Sequence, residues 1–283
     1  MKSILLPTDF SENSWNAISY ALNLFKNETC TMYLLNTYTP VIYHVEYVLV
    51  EPSRYGMADA VRESALEQLD EFKTRIKKEF NNPKHTVGSM AVFNNLISEI
   101  KDFVKEKAID YVVMGTKGAT GLKEVLFGSN TVHVFKNVKC PVLAIPDGFD
   151  FETPHEVLFP TDYEINYKDH HIKPILDIIS LYNTRVNILH ATYGYDLSEA
   201  QEENKKVLEK YFEKSAYLFQ SISNQTIEEG INNFQLKARI NLLVMINNKH
   251  SFFENLFFKN TINKIGFHLN VPFLVIPSKN HKT

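Results

Sequence analysis

The sequence predicts an α/β protein of two tandem domains, each an open five-stranded parallel sheet with helices on both faces. Three observations predict it. The chain has 283 residues, more than the roughly 100 to 200 usual for one domain. The same ordered set of segments occurs twice along it. Within the first copy, apolar β-type runs alternate with helical stretches, the pattern of a parallel sheet.

The elements follow in chain order. Residues 3–10 read SILLPTDF, an apolar strand over 3–7 closed by a Pro-Thr-Asp turn. A second strand runs over 32–37. Residues 38–56, YTPVIYHVEYVLVEPSRYG, form a long aromatic and apolar insertion, read either as a lid over a ligand or as packing and subunit-contact surface. A helix is expected from Met57 to Phe80, where Ala58, Val61, Ala65, Leu69, Phe72, Ile76 and Phe80 recur three and four apart and predict one core-facing stripe. Strands follow at 85–92, 110–114 and 141–145. The nearly continuous apolar run DYVVM at 110–114 is what a central strand covered on both faces requires.

Gly148 and Pro154 then break the pattern, which sets domains at 1–148 and 154–280. The second copy begins EVLFPTDY at 156–163, matching SILLPTDF. NILHATY at 187–193 matches MYLLNTY at 32–38, and VPFLVIP at 271–277 matches CPVLAIP at 140–146.

Composition narrows the function. A net charge of -3 from 30 basic and 33 acidic side chains gives no field to hold a polyanion, so nucleic acid is not an expected partner. The two cysteines, Cys30 and Cys140, fall in separate apolar strands rather than in a disulfide framework. No export signal or bilayer-spanning run is visible, so a cytoplasmic protein without a membrane partner is expected. The ten histidines show no metal-ligand spacing, and no metal site is expected.

Parallel sheets bind ligands beyond the C-terminal ends of their strands. After the fourth strand the sequence reads MGTKGATGLKEVLFGSNT, which spaces Gly115 and Gly118 by two residues and places Gly128 and Ser129 nine residues further on. Glycines let backbone approach an anion and adopt positive φ, so that successive N–H groups face phosphate oxygens. A helix starting near Gly128 would add its unpaired N–H groups and dipole. Lys117 is a candidate charge contact, against the alternative of a solvated loop lysine.

This constellation resembles the universal stress protein family, whose ATP-binding members carry Gly-x-x-Gly, nine residues, Gly-Ser/Thr after the fourth strand. The resemblance covers nearly all of 1–146 and, more weakly, 156–277. It implies tandem Rossmann-like domains of the adenine nucleotide alpha hydrolase type, and ATP or a related adenine nucleotide as ligand, with or without Mg²⁺. By motif position, Asp9 and Thr37 are implied to hold the nucleoside. Pro7, Thr8, Met114 and Gly115 would line the crevice, while Gly118, Gly128, Ser129 and Asn130 would face phosphates. Asp9 is otherwise read as a cap of the following helix. Family members pair through their last strands, so Val142 to Ile145 and Phe273 to Ile276 are expected to form an intrachain pseudo-dimer contact. A homodimer is compatible with the same resemblance.

In the second copy an ungapped match places Ile246, Lys249, Lys259 and Asn260 opposite Gly115, Gly118, Gly128 and Ser129, with Phe252 and Phe253 nearby. Side chains there obstruct an anion cradle, which suits a structural partner, the alternative being another ligand held by Lys249 and Lys259. A P-loop signature is absent, and Asp9 alone does not supply the metal, water and charge stabilisation of phosphoanhydride hydrolysis. The expectation is a nucleotide-binding stress-response regulator. A slow ATPase or nucleotidyl-transfer enzyme, or a nucleotide-free scaffold, are the competing readings.

Overall fold

The computed structural model describes residues 1–38, 57–116, 127–192, 194–248 and 270–279, with Met57 and Ala58 as backbone only. The insertion at 39–56, Lys117 and Gly118, and Lys249, Phe252, Phe253, Lys259 and Asn260 of the second copy lie outside the described residues.

The first half runs β1 (Lys2–Pro7), α1 (Glu12–Leu24), β2 (Cys30–Tyr38), α2 (Met57–Glu79), β3 (His85–Phe93), α3 (Leu96–Glu106), β4 (Tyr111–Gly115), α4 (Ser129–Asn137) and β5 (Val142–Ile145). The second runs β6 (Glu156–Pro160), α5 (Asp169–Tyr182), β7 (Arg185–Thr192), α6 (Glu199–Phe212), β8 (Tyr217–Ser223), α7 (Ile227–Lys237), β9 (Leu242–Asn247) and β10 (Phe273–Pro277).

All ten strands join one sheet in the order β3-β2-β1-β4-β5-β10-β9-β6-β7-β8. Each half is parallel, and the halves meet where β5 and β10 pair antiparallel, with Leu143 opposite Leu274. The pairing expected between the two last strands is therefore present. It has a geometric consequence: strand C-termini of the two halves point in opposite directions, so the two crevices lie at opposite edges of the sheet.

Alternate residues of each inner strand feed opposite cores, because strand side chains alternate faces. On β1, Ile4 and Leu6 pack with α1 and α2 residues such as Trp15 and Leu69. Leu5 packs on the other face with Ile100 and Phe103 of α3 and Val134 and Phe135 of α4. The same alternation governs β10, where Leu274 and Ile276 separate from Phe273 and Val275. Two covered faces explain why strands such as YVVMG are apolar throughout.

The stripe expected on α2 is shorter than its periodicity. Ala65, Leu69 and Ile76 are buried, whereas Val61 is 41% exposed and every residue from 59 to 64 is exposed. Periodicity reports which face would be apolar, not whether anything lies opposite it. Phe72 is held by Trp15, edge to face at 5.3 Å between centroids, and the Arg75 guanidinium lies 3.8 Å over the Trp15 ring.

Both cysteines are buried and free. Burial pushes the Cys30 thiol up to about 11 and raises that of Cys140 further, which leaves both unreactive near neutrality.

Candidate functional site

In the first half β1 lies between β2 and β4, where the strand order reverses. Such a switch point opens a crevice beyond the strand ends. Here the crevice holds about 410 Å³, and its described lining includes Pro7, Thr8, Asp9, Thr37, Met114, Gly115, Gly128, Ser129 and Asn130. Nine sequence-selected residues thus converge. The lining also includes Ser14, Asn36, Leu96 and Thr131.

The β1 turn forms the floor. The Thr8 amide continues the ladder by donating to the Leu35 carbonyl at 2.9 Å. The buried Thr8 hydroxyl meets the Ser14 hydroxyl at 2.9 Å and accepts from the Phe10 amide at 3.0 Å. Phe10 sits at φ 62°, and the chain turns sharply there into α1. Asn36 Nδ2 donates to the Thr8 carbonyl at 2.9 Å, tying the end of β2 to this turn.

Asp9 is not the cap of α1. Ser11 is the N-cap, its side chain accepting from the Ser14 amide, while Asp9 Oδ1 accepts from the Ser11 amide at 3.2 Å. Aspartate two residues ahead of its partner closes its own side-chain turn, which leaves the capping position to serine. Asp9 stays exposed at the crevice mouth.

The opposite wall is the start of α4. Its N-cap, Gly128, offers no side-chain cap, and the Gly128 amide donates to the Thr116 carbonyl at 2.6 Å. The first amides of a helix have no intrahelical acceptor, so those of Ser129 and Asn130 are presented beside the crevice. Thr131 fixes this end to β4 by donating from Oγ1 to the Gly115 carbonyl at 3.0 Å.

Positive φ is not what the described glycines of the motif supply. Gly128 has φ -60°, and among the described glycines only Gly148 and Gly194 are left-handed. At Gly115 the reason is close approach: a Cβ would lie 2.7 Å from Asn13 Oδ1 of α1. That contact is with the protein itself.

The second half repeats the frame of β1, β2 and their turn. Ile246 pairs with Ile276 as Gly115 pairs with Ile145, which verifies the ungapped match at this position. Asp162 accepts from the Glu164 amide at 3.1 Å, as Asp9 does from Ser11. The strand register sets Leu189 in the place of Leu35 and His190 in that of Asn36, one residue earlier than the match of NILHATY to MYLLNTY gives, and His190 Nδ1 donates to the Thr161 carbonyl at 3.0 Å. Tyr163, at φ 58° like Phe10, stacks on His190 with 5.0 Å between centroids and is buried. Tyr167, also buried, hydrogen-bonds the Thr161 hydroxyl. Gln201 and Asn204 of α6 donate to the Asp162 and Tyr163 carbonyls at 2.9 and 2.8 Å, tying down this turn.

A separate cavity of about 370 Å³ lies between α2 and β3, lined in part by Leu22, Phe80 and His85, and no sequence motif falls there.

Residues 1–146 match the family described as the universal stress protein family. The chain belongs to the universal stress protein family. Universal stress protein MJ0531 of Methanocaldococcus jannaschii is 33% identical over 144 residues, covering 51% of this chain and 81% of that protein. A universal stress protein from Archaeoglobus fulgidus superposes over 99% of this chain and 97% of its own, with a TM-score of 0.70 at 18% identity. A functionally unknown protein from Pseudomonas aeruginosa, PA1789, superposes over 98% of this chain and 92% of its own, with a TM-score of 0.60 at 14% identity. The last two establish the fold alone, over both halves of the chain.

Ser14, Asn36, Leu96 and Thr131 were not selected from sequence. Asn36 left a signal, a polar residue interrupting the apolar run MYLLNTY one position before the chosen Thr37. Ser14 left only a weak one, its spacing from the Pro-Thr-Asp turn. Leu96 arrives from α3, and nothing in its local sequence marks it.

Proposed function

We propose that the first half binds ATP or a related adenine nucleotide in this crevice and that the second half is its structural partner in a stress-response regulator. The carrying observation is the uncapped start of α4 facing the Pro7-Thr8-Asp9 turn across one crevice. Helix-start amides favour phosphate through unpaired donors and the helix dipole. Asp9, as an acceptor, suits nucleoside hydroxyl or amino donors at the other end. The glycine motif, whose spacing resembles that of ATP-binding family members, supports the same assignment.

Turnover is not part of this reading. Asp9 is the one carboxylate among the described lining residues, and none of them is cationic. Phosphoryl transfer needs metal and transition-state charge stabilisation besides positioning. The two buried thiols, which form no disulfide framework, support placing the protein in a reducing cytoplasm, with a homodimer compatible with the exposed sheet edges. Among the described residues no helix is long and apolar enough to cross a membrane.

Titration calorimetry of the full-length chain with ATP tests the assignment. One nucleotide per chain is expected, and Gly128→Val should weaken it by about tenfold or more, equivalent to roughly 1.4 kcal/mol, with an unchanged circular dichroism spectrum. Two equivalents per chain would reassign the second half; no heat at millimolar ATP would leave the scaffold reading. Measurement of phosphate release with Mg²⁺ or Mn²⁺ addresses turnover separately, and burst or steady hydrolysis would favour the enzyme.

A further inference from the structure

We infer that Asn36 is a specificity-determining residue of the crevice, its amide carbonyl accepting a hydrogen bond from an exocyclic amino group of the base. The inference rests on the nucleotide reading above and adds to it which atom selects the base.

The orientation of the Asn36 amide follows from chemistry. Its partner, the Thr8 carbonyl, can only accept, so the NH2 group must face it, as the 2.9 Å contact has it. Oδ1 is thereby turned away from Thr8. Asn36 is 7% exposed, it lines the crevice, and among the described residues its Oδ1 accepts no hydrogen bond. Oδ1 is open to the crevice, where a ligand N–H can replace water as its donor.

The position suits a base rather than a phosphate. Asn36 ends β2, and the anion-favouring start of α4 follows β4, with β1 between them. Two interstrand spacings separate these ends by roughly 10 Å, comparable to the reach from a purine ring to its phosphates. An acceptor at the anion end would repel phosphate; at the far end it needs an N–H donor. Leu96 lines the same crevice and offers apolar surface for a ring face.

The second half supplies the contrast. His190, the counterpart of Asn36, makes the same bond to its turn at 3.0 Å and stacks on Tyr163 at 5.0 Å between ring centroids. One half therefore presents an amide oxygen at this position where the other presents an imidazole stacked on an aromatic ring.

A 6-amino purine satisfies the Asn36 carbonyl, whereas a 6-keto purine sets oxygen against oxygen. Rotating the amide to compensate would turn Oδ1 onto the Thr8 carbonyl. Calorimetry of the full-length wild-type chain with ATP, ITP and N6,N6-dimethyl-ATP is the test. ATP should bind about tenfold or more tightly than either analogue, since each leaves the acceptor unpaired. In Asn36→Leu, ATP affinity should fall until the ATP to ITP ratio is near one. Equal affinities in the wild type, or a ratio that persists in Asn36→Leu, would overturn the inference while leaving nucleotide binding intact. The analogue comparison stands even if Asn36→Leu fails to fold. Binding of none of the three would remove the nucleotide reading itself, and this inference with it.

Discussion

Asn13 and Gly115 meet so closely at the crevice floor that one added carbon decides the outcome. A Cβ at Gly115 would come within 2.7 Å of the Asn13 side chain, which is itself nearly buried. Gly115→Ala should therefore destabilise the protein by about 1 to 3 kcal/mol through overpacking, read as a lower midpoint in urea. An unchanged midpoint would mean that Asn13 swings aside freely. Thr131 acts at the same place, since its hydroxyl holds the start of α4 to the Gly115 carbonyl.

At the scale of elements, α1 is secured at both ends. Ser11 caps its start, and at its other end the Tyr182 hydroxyl of α5 reaches the Asn23 and Leu24 carbonyls, at 3.1 and 2.6 Å. Those carbonyls belong to the last turn of α1, where the i+4 donors run out; the Lys26 amide reaches only that of Asn23. Tyr182→Phe leaves the Leu24 carbonyl to water or unpaired, while that of Asn23 keeps the Lys26 amide at 3.3 Å, and the expected cost is about 0.5 to 1.5 kcal/mol. Chemical denaturation of the variant measures it, and a loss near zero would show that water replaces the hydroxyl. The helix that forms one side of the crevice in the first half is thus completed by a side chain from the second.

At the scale of the molecule, the antiparallel β5–β10 pair turns ten strands into one sheet. Val142 to Ile145 are almost fully buried in that contact. A fragment of residues 1–148 would expose this strand edge, and pairing with itself or precipitating is the expected result. Light scattering that shows a stable monomer would contradict this. A charge network also joins the halves: Lys2 and Lys173 each lie within 2.9 Å of Asp177. Burial alone would raise the Asp177 carboxyl, but its bonds to Lys173 and Lys2 outweigh this and hold it below the usual carboxylate range. A depressed folded pKa contributes stability above the unfolded value near 4, lost as pH falls through the folded one. Thermal melts should show this loss below about pH 4, and Asp177→Asn should flatten the profile there. An identical acid profile in the variant would assign the acid sensitivity elsewhere.

Local chemistry settled what the sequence by itself determined. Strand runs, the Pro-Thr-Asp turns, the duplicated order and the glycine spacing are all short-range patterns, and the strands stand where they were read, whereas Gly118 of the glycine motif lies outside the described residues. Nine of the residues read from sequence line one crevice, because they sit at strand ends and a helix start that the motifs mark directly. Which residues complete the crevice depended on tertiary structure: Ser14, Asn36 and Leu96 come from α1, β2 and α3, and only their packing around one switch point brings them together. The exposure of Val61, the capping by Ser11 rather than Asp9, and the packing of Tyr163 and Tyr167 beside the second turn were decided in the same way. Periodicity and motif spacing specify what a residue can do, whereas burial and hydrogen-bond partners depend on what stands opposite, and that is set by contacts between segments distant in the chain.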